Sequence, residues 1–486
     1  MTALRAKIQN FSRERLMLIL SVYIICQPLL DILTALGVKA GHPVTAGVVV
    51  RSLFMVLGLL YAVFLSDFPG KRLPLIYAAA LVGYLILFML HLLVVGGISL
   101  CFRNLTEVVK TFFAPFVFIF LYCVYREYGF SVTTRSIGAA GAIYCSVILA
   151  AWLTGTSNVS YANSGYGYNG WFYAANEIGC IIALTAPFTL YHCVKMVLAV
   201  TKKTWWKVPV IIWCLAAVAF SANFIGTKIV FLFVLVYALA GLVWTLFRLW
   251  KARSAAALCQ VAVMLALTVM VMILYRFSAL NDVLVNVYNP IMDVPSDELI
   301  TWWPDESLPN GVEPGVVLNE LQHANEGAWL AGLLTRNQIA QKLDQVLSRR
   351  LYTSSPSVEV FLRGGIGVKL LGIGYADSKA YDRPVRFMIE MDPPAILVRH
   401  GIVGFVLYCV PYFAFIAYAV IQFFRHPLQR LTSLGYCTLL YCTLSGFAIA
   451  VVAGHALVSP AVSTFVVAGG MQLWVRTREQ NKLSNA

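Results

Sequence analysis

Hydrophobic residues run through this chain in long blocks rather than in the alternating pattern of a strand or the one-sided stripe of a soluble helix. Blocks of about 20 apolar residues are long enough to cross a bilayer as helices. They predict spans at 16–36, 44–65, 74–96, 104–125, 136–155, 173–200, 208–225, 228–248, 255–276, 394–424, 431–454 and 456–475. One long polar stretch, 277–392, interrupts them. It carries fifteen of the twenty-two acidic residues, from Asp282 to Asp392, and a set of basic ones that includes Arg349, Arg350, Arg363 and Lys369. Apolar positions recur at helical spacing from about 328 to 352, which predicts an amphipathic helix there. The expected fold class is an all-α polytopic membrane protein of about twelve transmembrane helices. It divides into spans 1–9 (residues 1–276), an extracytoplasmic loop subdomain (277–392), and spans 10–12 with a tail (393–486).

Composition supports this. The chain is 60% hydrophobic and only 12% charged, against about a quarter charged in soluble domains. The net charge of +14 is not a nucleic-acid footprint, because the excess sits in short connectors. Arg5, Lys7, Arg13 and Arg15, then Lys71 and Arg72, then Lys202, Lys203 and Lys207 all fall on one side, and the alternate connectors carry little beyond Lys39 and Arg103. By the positive-inside rule both termini are expected in the cytoplasm and 277–392 outside, on the cytoplasmic membrane. The eleven cysteines form no CxxC pair, so neither a disulfide framework nor a zinc site is indicated.

Ionisable residues within or at the ends of spans are costly and become site candidates. They are Asp31, Arg51, the one-faced set Arg103, Glu107 and Lys110, Glu177 beside Asn176, and Lys228. Fixed cations at an outer membrane face suit a phosphate or pyrophosphate on a lipid tail. Glu390 and Asp392 lie two apart, so in an extended segment both face one cleft, where a carboxylate can take a proton from a hydroxyl. His323 is a further loop candidate for acceptor binding. The uncharged connector 156–172, rich in Tyr, Asn, Ser and Gly, reads either as a flexible loop or as a source of aromatic and amide groups for a sugar. The glycines of GGIGVKLLGIGY are expected in tight turns. No nucleotide-binding loop is present.

The order of several short motifs resembles the O-antigen ligase and Wzy-type O-antigen polymerase superfamily, in its Gram-positive form. These are QPLLDIL near the N-terminus, AANEIG at 174–179, GTK at 226–228, SRR at 348–350, LGIGY at 371–375 and EMDPPAILVRHGIVGF at 390–405. The resemblance implies a GT-C-type glycosyltransferase without cofactor or metal. It would transfer or polymerise a glycan from an undecaprenyl-pyrophosphate carrier onto an acceptor glycan, lipid or wall polymer at the outer membrane face. Its partners would be membrane lipids and those glycans, with no nucleic acid. The family's basic residue at the outer start of a mid-chain span corresponds to Lys228, with Lys in place of Arg, and its loop arginine to Arg349 or Arg350. Ligases of the family carry a histidine eleven residues before the glycine of the closing span. Here that position is Glu390, eleven before Gly401, and His400 is not the counterpart. The departure points away from lipopolysaccharide ligases. Catalytic candidates are therefore Glu390, Asp392, Arg349 and Arg350. Binding candidates are Lys228, Arg51, Arg363, Asn176, Glu177, Asp31 and His323. A transporter or lipid flippase is the rival class, although no internal repeat is evident. A structural membrane subunit without chemistry is the third.

Overall fold

The computed structural model describes residues 2–42, 45–161, 166–200, 204–283, 350–375 and 389–484. Almost all of them are helical. The helices are α1 (Thr2–Ile25), α2 (Gln27–Lys39), α3 (Ala46–Leu60), α4 (Arg72–Tyr128), α5 (Thr134–Leu153), α6 (Ala175–Leu198), α7 (Lys207–Phe224), α8 (Lys228–Ala252), α9 (Ala255–Tyr275) and the short α10 (Ala279–Val283). From the polar stretch come α11 (Arg350–Arg363) and α12 (Ile366–Leu371). The C-terminal part adds α13 (Asp392–Arg425), α14 (Pro427–Leu431), α15 (Leu434–Val452) and α16 (Pro460–Ser484). Among the described residues, nine helices are long and apolar enough to cross a membrane, or ten with the bent pair Arg13–Ile25 and Gln27–Lys39 counted as one. The chain is an all-α polytopic membrane protein.

Two of the long helices are each two helices joined at a glycine. In α4 the break is at Gly97, whose φ of 71° and ψ of −172° belong to backbone that only glycine readily adopts. Tyr84 and Phe112 would stand about 42 Å apart along a straight helix. Their rings instead lie 5.8 Å apart, so the chain doubles back at Gly97. In α13 the break is at Gly401 (φ 67°), which separates the short 392–400 segment from the long apolar run that follows. The break at Gly97 falls in the connector expected between the spans 74–96 and 104–125, whereas the break at Gly401 lies inside the span expected at 394–424, where apolar residues run straight through.

The core is formed by α5 and α6 and the helices packed around them. Phe112, Tyr144, Ile181, Phe188, Val218 and Val462 are all buried. Exposed apolar side chains such as Leu73, Val94, Leu153, Val243 and Phe413 face outward, as expected of a bundle whose solvent is lipid. The connector after α5 is an antiparallel hairpin, β1 (Asn158–Tyr161) with β2 (Tyr166–Gly170). The helix expected over 328–352 falls outside the described residues except at its last positions, which open α11.

Candidate active site

The polar stretch returns to the bundle at Arg350, the first residue of α11. Its guanidinium Nε donates to Glu390 at 2.5 Å, and another of its nitrogens donates to the Val452 carbonyl at 3.0 Å. Val452 is the last residue of α15. The two charged side chains keep 15% and 27% of their surface accessible, so the pair is neither sealed in the core nor fully solvated. Glu390 itself is held from behind. Its carbonyl packs so closely on Gly454 that a side chain there would collide with it.

Asp392 behaves differently. An extended segment would carry both carboxylates to one cleft, but the chain turns helical at Asp392, and the two side chains part. Asp392 is fully buried. Its carboxylate accepts from the backbone amides of His455 at 2.7 Å, Ala456 at 2.9 Å and Leu457 at 2.7 Å. These amides belong to the break between α15 and α16, where Gly454 and His455 both have positive φ and expose a row of N–H groups. Both carboxylate oxygens are thereby occupied. Asp392 ties the start of α13 to the α15–α16 turn.

The opposite wall comes from α6 and α8. Lys228 is the first residue of α8 and is half-buried. Its ammonium lies within electrostatic reach of Arg350. Glu177 sits in the first turn of α6, half-buried, with Asn176 exposed beside it. One turn on, Cys180 lies near the Gly454 carbonyl, at 3.9 Å, and within the fields of Asp392, Glu177 and Arg350. Gly179 lets the α6 backbone approach Thr227, just before Lys228. Arg350, Glu390, Lys228 and Glu177 thus gather at one end of the bundle from four separate parts of the chain.

Asp31 and Arg51 form a second cluster, on α2 and α3. Arg51 donates to Asp31 at 2.6 Å and to Gln27 at 2.9 Å, and Tyr144 donates to the other Asp31 oxygen. Arg51, Asp31, Gln27 and Tyr144 are all buried. The guanidinium is committed within the bundle, where it links α2, α3 and α5. Glu107 pairs with Lys110 at 2.7 Å on α4, as their spacing predicts, at a partly exposed position. Arg363 lies at the exposed far end of α11, thirteen residues or about 20 Å from Arg350 along the helix. Arg349 and His323 fall outside the described residues.

One set of polar residues had no prominence in the sequence. The LGIGY segment docks on the residues around Gly401: Ile373 N–H donates to Val398 O and Gly374 N–H to Arg399 O, each at 3.0 Å. Gly372 (φ 86°) and Gly401 (φ 67°) interlock, and a side chain on either would meet the other segment's backbone. Tyr375 N–H donates to Asn104 at 2.5 Å, and the Tyr375 hydroxyl bonds both Thr111 and, at 2.8 Å, His400 Nε2. Burial pushes the Tyr375 hydroxyl well above its ordinary pKa, so it stays protonated. The readable signal was Asn104 and Thr111, polar residues on one face of an apolar helix. Among the described residues no group of three or more His, Cys, Asp or Glu side chains is arranged to hold a metal ion.

Ionisable groups converging at one end of a membrane bundle mark a functional site. Residues 13–480 match the family model described as O-antigen ligase like membrane protein, and the chain belongs to that family. No curated protein matches it.

Proposed function

We propose that this protein is a GT-C-type glycosyltransferase of cell-surface polysaccharide assembly, acting on a glycan carried by undecaprenyl pyrophosphate. The observation that carries the reading is the Arg350–Glu390 pair beside Lys228, partly accessible at the end of an apolar bundle. Family membership supports lipid-linked glycan as the substrate class. The bundle crosses the membrane twelve times in this reading: α4 contributes two crossings around Gly97, and the apolar first half of α16 the last. The distribution of Lys and Arg supports the outer face of the cytoplasmic membrane for the site.

Arg350 and Lys228 neutralise the pyrophosphate as it leaves. Arginine offers a planar fork to the phosphate oxygens and lysine a point charge. Glu390 accepts the proton of the acceptor hydroxyl. The acceptor oxygen bonds to the anomeric carbon as the bond from that carbon to the pyrophosphate oxygen breaks, and the carrier departs with both electrons. Attack opposite the leaving group inverts the anomeric centre. Before substrate arrives, Glu390 is engaged by Arg350. A pyrophosphate that draws Arg350 away would free the carboxylate to act as base, which ties base activation to donor binding. Asp392, with both oxygens committed, has a positioning role, and the Asp31–Arg51 cluster a structural one. The ligase and polymerase outcomes share this chemistry.

The test is transfer from purified lipid-linked glycan by the protein in nanodiscs. Glu390→Gln is expected to lower transfer by about 10²–10⁴-fold and Arg350→Ala to abolish detectable product, with both proteins folded in the membrane. Normal product from both variants would overturn the assignment.

A further inference from the structure

We propose that the β1–β2 hairpin and the turn behind it form a saccharide-binding rim on this site, recognising uncharged pyranose units through Trp171 and Tyr173. The proposal rests on the glycan-transfer reading for the identity of the sugar chain.

Trp171 and Tyr173 are 40% and 59% exposed, although they flank Phe172, which is fully buried with its ring 5.2 Å from that of Tyr144. The backbone between them is pinned: Asn158 donates to Phe172 O at 2.9 Å and Asn169 to Tyr173 O at 3.3 Å. Two aromatic faces are thus held outward at low entropic cost to a ligand. Their place in the fold is equally fixed. The Ser160 hydroxyl donates to Ile225 O at 2.6 Å, three residues before Lys228. Tyr173 lies four residues before Glu177 and three before the exposed Asn176. The aromatic pair is thus tied to the segments that carry Lys228 and Glu177.

A pyranose ring presents an apolar C–H face edged by hydroxyls, which matches aromatic rings interspersed with amides. The connector 156–172 has no charged residue of its own, and the ammonium that reaches it, Lys39, donates to Asn158 at 2.6 Å. Nor does Trp171 resemble an interfacial anchor, whose indole N–H turns to the headgroups. Here the N–H is engaged within the chain, donating to the Thr156 hydroxyl at 2.8 Å, which leaves the ring face on offer.

The probe is the oligosaccharide released by mild acid from the cell's own polyprenyl-linked glycan. Its binding to the protein in nanodiscs is followed by saturation-transfer NMR. Trp171→Ala should weaken binding about tenfold, and Tyr173→Ala less; Trp171→Phe, which keeps a ring face, should bind within about twofold of wild type. The Phe variant separates loss of the platform from loss of folding. Glu390→Gln should bind as wild type does. Normal transfer by Glu390→Gln together with lost binding by Trp171→Ala would refute the catalytic reading and leave the rim standing. The proposal falls if wild type shows no binding or if Trp171→Ala binds equally well. It also falls if Trp171 emission, taken as the difference between wild type and Trp171→Phe, is quenched by brominated acyl chains.

Discussion

Two arginine–carboxylate pairs of nearly equal length lie in this molecule and have different consequences. Arg51 meets Asp31 at 2.6 Å with 5% and 10% of the side chains accessible, and Gln27 and Tyr144 complete the cluster. Arg350 meets Glu390 at 2.5 Å with 15% and 27% accessible, and it also donates to the backbone carbonyl of Val452. Distance does not tell them apart. The first is sealed on all sides by α2, α3 and α5, so exchanging its partner for a substrate would leave a buried charge uncompensated. The second joins two chain segments at the end of the bundle, and a competing anion can reach it. Access, rather than the ion pair itself, is what the proposed division into a structural and a chemical pair rests on.

The contrast can be broken by experiment. Truncation of the sealed pair should have the largest effect on folding. Arg51→Ala leaves Asp31 buried beside Tyr144 and should destabilise the protein by about 3–5 kcal/mol, read as loss of monodisperse protein on gentle heating in detergent. The paired change Asp31→Leu with Arg51→Met should restore much of that loss. Arg350→Ala should leave melting nearly unchanged while removing transfer. If instead Arg51→Ala melts normally and Arg350→Ala unfolds, the assignment of the two pairs is reversed.

Asp392→Asn sharpens the comparison within one segment. Its amide would turn a donor towards backbone N–H groups, which should cost about 1–3 kcal/mol in a thermal-shift measurement. A variant that melts like wild type but is inactive would instead favour Asp392 as a group of the reaction. A smaller effect is expected at Lys228. Lys228→Arg preserves the charge, and the family resemblance carries arginine there, so transfer should stay within a few-fold. Complete loss in that variant would mean that the ammonium's compact shape matters.

Most of the fold was legible as apolar blocks. The start of α8 at Lys228 and the isolation of Asp31 and Arg51 inside spans could also be read directly from residue order. The reversal at Gly97 was legible too, as the gap between the spans 74–96 and 104–125. What escaped was the break at Gly401, inside the expected span 394–424, and the contacts between distant segments. The partnership of Arg350 with Glu390 spans forty residues. The two-residue spacing of Glu390 and Asp392 misled because it presumed extended backbone, whereas a helix begins at the second carboxylate. Tyr375, Asn104, Thr111 and His400 meet only because α4 folds back and LGIGY lies across its return. Each is an ordinary polar residue until three distant segments converge.

The described part of the polar stretch, 350–375, is laced down at both ends: at Arg350 to the α15–α16 turn, and at Tyr375 to Asn104, Thr111 and His400. A flap hinged on one side opens by releasing the other. A strap fastened at two points has no free edge, and lifting it means undoing a salt bridge and a buried hydroxyl network together.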